Sequence, residues 1–65
     1  MQMEELEIER HLIKALTELE LIREDYLYRK NRKKVDAIDR AMRIILNEYP
    51  ELVDKWAEER YKWVL

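Results

Sequence analysis

Glycine, serine, cysteine and phenylalanine are missing from all 65 residues, and Thr17, Pro50 and His11 are the only threonine, proline and histidine. Each absence excludes something. Without cysteine there is neither a disulfide nor a thiolate metal site. Without serine or cysteine the usual acyl-transfer nucleophiles are gone, and without glycine no loop can wrap a phosphate in backbone amides. No run approaches the roughly 18 apolar residues needed to span a bilayer. The opening "MQMEELEIER" is acidic and broken by charge, unlike a signal peptide with its basic start and apolar centre. The chain therefore reads as soluble and cytoplasmic, with no membrane partner.

What is present is helix-forming. Charged residues make up 43% and hydrophobic ones 48%, which leaves mainly Leu, Ile, Ala, Glu, Lys and Arg, all good helix formers. The expected class is all-α, a small bundle forming one domain over residues 1–65. A formal net charge of −2 excludes a generally basic, nucleic-acid-coating protein. Yet five of the 13 basic residues crowd into "YRKNRKK", Tyr28–Lys34.

Ile8, Leu12, Ala15, Leu19, Ile22 and Tyr26 alternate spacings of four and three, the seam that lets one helix lie along another. Leu16 and Leu27 widen it. A second series runs through Val35, Ile38, Met42, Ile45, Tyr49, Leu52, Trp56 and Trp63, with Glu59 in place of one apolar member. It crosses Pro50, which is tolerated in a first helical turn and disruptive inside a helix. Acidic residues precede basic ones on each side of that proline, as the helix dipole favours. The pattern predicts helices near 3–30, 34–48 and 50–64, the long first one antiparallel to two shorter ones broken at Pro50. The third either continues along the first or folds back into an up-down-up bundle; the unbroken seam favours continuation. Leu12, Leu19, Ile22, Ile38, Met42, Ile45 and Trp56 are the expected core.

Catalytic, cofactor and metal sites are not expected. His11 and Glu7 have the four-residue spacing of two ligands on one helix, but that is half a site. Ile8 stands where the Glu-x-x-His pair of di-iron bundles needs its glutamate. Carboxylates mostly sit four residues before a cation, as in Asp25–Arg29, Asp36–Arg40, Asp39–Arg43, Glu51–Lys55 and Glu58–Lys62, which supports helices. Binding is the better-supported chemistry. Leu6, Ile13, Leu21 and Tyr28 point away from the seam in 100° steps, which suggests a second covered surface. Trp63, Val64 and Leu65 add an apolar segment beyond the reach of an antiparallel first helix. These seven residues are the candidate protein interface. In the basic corner, Asn31 best tolerates a left-handed conformation, and Arg29, Lys30 and Arg32 then complement a helix C-terminus. Lys33 and Lys34 have no such role. All five cations are the candidate nucleic-acid contacts of an alternative reading.

The acid-first pairs, the dipole matching and the restart "EYPELVDKWAEE" resemble de novo designed helical mini-proteins of the bundle or binder type. That resemblance implies a scaffold or protein-binding role. The stretch "VDAIDRAMRIILNEYPELVDKWAEERYKWV" resembles the helix leading into the sigma-like region of phage late regulators of the ArpU and RinA type. Their DNA-reading helix-turn-helix has no counterpart in these residues. The leading expectation is a non-enzymatic helical scaffold or protein-protein interaction module that self-associates as a homo-oligomer. The alternative is a small phage-type regulatory protein contacting nucleic acid through residues 29–34, nucleic acid being the less favoured partner.

Overall fold

The computed structural model describes the backbone of residues 2–64 and the side-chain surroundings of residues 2–59. Helices α1 (Glu5–Tyr28), α2 (Arg32–Glu48) and α3 (Leu52–Val64) follow one another, with no strand among the described residues. The all-α class and the long first helix packed on two shorter ones match the sequence pattern. The limits shift slightly. Glu4 is extended, at φ −73° and ψ 156°, and offers no side-chain cap, so α1 begins after it.

The first corner ends α1 with a Schellman turn. The Asn31 amide donates to the Tyr26 carbonyl at 2.9 Å, and the Lys30 amide to the Leu27 carbonyl at 3.0 Å. The left-handed residue is Lys30, at φ 60°, and not Asn31 as the sequence suggested. Asn31 instead caps α2, its side-chain oxygen accepting the Lys34 amide at 3.3 Å. The two roles compete for one short turn. A lysine side chain cannot accept that amide and an asparagine can. Lysine therefore takes the left-handed position, at a cost of about 1–2 kcal/mol.

This assignment places Arg32 inside α2, whose first turn holds no acidic residue. Asp36 and Asp39 lie too far along to give α2 its expected acidic start. Arg32, Lys33 and Lys34 thus occupy a helix N-terminus, where cations are unfavourable.

The second corner is built by the proline. Tyr49, held by Pro50 away from helical geometry, sits at φ −127° and ψ 65° and ends α2. The Leu52 amide then reaches the Tyr49 carbonyl at 3.0 Å, and the Val53 amide the Pro50 carbonyl at 3.2 Å. Helix α3 consequently starts just after Pro50 and not at it.

Both shorter helices pack on α1, and α2 and α3 touch each other far less. Two ion pairs mark the register: Arg23 with Asp39 of α2, and Glu9 with Lys55 of α3. As α1 is followed back from Arg23 to Glu9, its partner advances from Asp39 to Lys55, past the break at Pro50. Helix α3 thus reaches further towards the start of α1, while its Trp56 still meets Met42 of α2 on Leu16.

Leu16, Val35, Met42, Leu52 and Trp56 are buried, and Leu16, Met42 and Trp56, one from each helix, form the central cluster. Leu52 and Leu16 are wholly buried, each contributing roughly 1.5–3 kcal/mol. Ile13, Leu19, Ile38, Ile45 and Leu46 pack around the cluster. Several seam and core assignments need correction: Leu27 and Tyr49 are exposed, and Leu12 is half-buried without joining the core cluster. Leu16, not Ala15, is the centre of the inward face, and Ile22 is 43% exposed and outside the core. Ile13, taken to point away, packs on the core. The cause is a rotation of the inward face. Residues seven apart share a side of a helix, so the face through Leu16 continues to Arg23, where the contact with α2 is an ion pair.

Candidate interaction surfaces

Measured from Leu16 in 100° steps, Met3, Leu6, Leu21 and Tyr28 fall within about 60° of one another, centred roughly 120° around α1. Leu6 is 56%, Leu21 58% and Tyr28 88% exposed. Arg10, Thr17 and Glu24 interleave with them on the same stripe. Helices α2 and α3 both cover the Leu16 side, so this stripe stays open. A lone exposed leucine is ordinary; several large apolar side chains along one line of a short chain mark an interaction surface.

A shallow groove of about 400 Å³ adjoins the C-terminal half of the stripe, lined by Glu18, Leu21, Ile22, Asp25, Tyr26 and Arg29. Ile13 is half-buried and borders the stripe as well as the core. Trp63, Val64 and Leu65, the rest of the candidate interface, lie outside the described residues. The seam pattern missed Ile44, which is 63% exposed on the outer side of α2. Its spacing of two from Met42 was the available signal.

The basic corner is exposed throughout. Arg29 Nε donates to the Asp25 carboxylate at 2.8 Å, a local pair that neutralises one of the five cations. Lys30, Arg32, Asn31, Leu27 and Val35 enclose a second hollow of about 370 Å³. Its cations come from two segments, the end of α1 and the first turn of α2.

Electrostatics elsewhere are structural. The Asp25–Arg29 pair forms as expected, but Asp39 turns to Arg23 and Lys55 to Glu9, in place of the local partners Arg43 and Glu51. Both cross-helix pairs include a half-buried carboxylate on an inward edge, where a cation from the facing helix is the nearer partner. The hydrogen bond and charge of Asp39 hold the Arg23 guanidinium above its ordinary pKa. A raised folded-state value means this stability is complete at neutral pH and fades only as pH rises through it, in strong alkali. His11 is exposed. Among the described residues no three of His, Cys, Asp and Glu are placed to hold a metal ion, and no helix is long and apolar enough to cross a membrane.

No protein-family model matches the sequence, and neither a curated protein nor a solved structure does.

Proposed function

We propose that this chain is a non-enzymatic helical interaction module that presents the outward stripe of α1 to a protein and self-associates through it. The observation that carries the reading is the alignment of exposed Leu6, Leu21 and Tyr28 on one side of a helix whose other side is already packed. Tyrosine suits this role, since it combines apolar area with a polar tip and is enriched among residues that dominate binding energy. Sedimentation equilibrium over a concentration series tests it, with Leu21→Lys as the probe of the surface. Association that Leu21→Lys abolishes supports the reading. Association that ignores the substitution moves the interface elsewhere, with the segment Trp63–Leu65 next to examine by truncation.

A second reading keeps the corner. Arg32, Lys33 and Lys34 oppose the dipole of α2, an arrangement that an anionic partner would relieve. Contact with nucleic-acid phosphates through Arg29, Lys30, Arg32, Lys33 and Lys34 would weaken steeply with salt, because each neutralised phosphate releases counterions. Absence of any band shift with duplex and single-stranded probes at low salt ends that reading.

A further inference from the structure

The outward stripe of α1 is symmetric about Thr17. Leu6 and Tyr28 are equidistant from it, as are Ile13 and Leu21, and so are Arg10 and Glu24. A two-fold axis through Thr17, perpendicular to α1, lays a second α1 antiparallel on the first and sets each residue opposite its counterpart. Apolar then meets apolar at both ends, and Arg10 meets Glu24 twice. A parallel pairing would set Arg10 against Arg10 and Glu24 against Glu24, so charge selects the antiparallel one.

The monomer leaves these groups available. Arg10 and Glu24 are exposed, and neither is in the ion pairs formed among the described residues. Thr17 is suited to the axis. Its side chain is small, and its hydroxyl already donates to the Ile13 carbonyl at 3.0 Å, so a close crossing strands no donor. Helices α2 and α3 lie on the Leu16 side and away from the approaching copy.

We propose that a second copy of this chain docks on the outward stripe, α1 against α1, antiparallel, with the two-fold axis at Thr17 and the Arg10–Glu24 pairs fixing the register. This rests on the reading of the stripe as an interaction surface and adds its occupant and geometry.

The test uses charge reversal in the full chain. Arg10→Glu alone sets two carboxylates against each other at both contacts, and Glu24→Arg alone sets two guanidinium groups together. Each variant should therefore dimerise roughly tenfold or more weakly than the parent. An equimolar mixture of the two variants allows a mixed dimer that takes one copy of each. The doubly reversed chain, with opposite charges at both contacts, should recover parental dimerisation. In the mixed dimer one contact joins the two parental residues and the other joins the two substituted ones, so it too carries opposite charges throughout and should recover. Thr17→Cys, the sole thiol in the chain, should form a disulfide-linked dimer under mild oxidation, whereas Asp36→Cys should not. Circular dichroism confirms that each variant remains helical. Single variants that dimerise like the parent, or a doubly reversed chain that fails to recover, overturn the register. If Leu21→Lys nevertheless abolishes association, the interaction surface stands and only the geometry falls. A parent chain that stays monomeric at high micromolar concentration overturns this inference and the self-association reading together.

Discussion

The two faces of α1 carry much the same kinds of side chain and do opposite things. On the inward face Leu16 is wholly buried against α2 and α3, while Leu21, about 140° further round the helix, is 58% exposed. Hydrophobicity does not separate them. What separates them is contact with the partner helices: Leu16 meets Met42 and Trp56, and the ion pairs at Glu9 and Arg23 lie on the same side. A small chain rich in leucine has more apolar surface than one core can use, and the cross-helix ion pairs mark the side that is covered. The side left over becomes available for a different contact.

Leucine-to-alanine substitutions around α1 can break this comparison. Leu16→Ala is expected to have the largest effect, destabilising the chain by about 2–5 kcal/mol through the cavity left where the three helices meet. Loss of cooperative thermal unfolding would register it; an unchanged melting temperature would show that the inward face is assigned wrongly. Leu19→Ala, at a half-buried site packed on the same cluster, should cost roughly 1–2 kcal/mol.

Lys30→Gly sharpens the comparison by raising stability without touching either face. Glycine adopts the left-handed conformation freely, so the variant should gain about 1 kcal/mol in chemical denaturation, with association unchanged once the monomer is folded. A loss of stability there would mean that lysine makes a compensating contact at the corner. Leu21→Ala should have the smallest effect on folding, within about 0.5 kcal/mol, while weakening association. If it destabilises as much as Leu16→Ala, the two faces are not distinct.

Much of this arrangement could be read from the residues. The absence of glycine together with the position of the one proline marked three helices, and 100° steps correctly placed Leu6, Leu21 and Tyr28 off the seam. The errors arise where a residue's role depends on a distant partner. A pattern of apolar types could not count Arg23 as inward-facing, because Asp39, sixteen residues away, is what admits it there. That omission moved Ile22 into the core and Ile13 out of it. The corner failed for a different reason. Asparagine is favoured both as a left-handed residue and as a helix cap, and only the hydrogen-bond geometry shows which preference is used.

The weak contact between α2 and α3 also governs the order in which the molecule comes apart. Helix α3 holds on mainly through α1, with Trp56 beside Met42 as its link to α2 and a corner bent at Pro50 between them, so it is expected to detach while the α1–α2 hairpin persists. Such partial opening requires less free energy than global unfolding. Amide protons in α3 should therefore exchange with deuterium faster than those of α1 and α2 around Leu16 and Met42. Each opening would briefly bare Leu16 and Trp56, making the transiently opened state, more than the fully unfolded one, the species on which a protease acts.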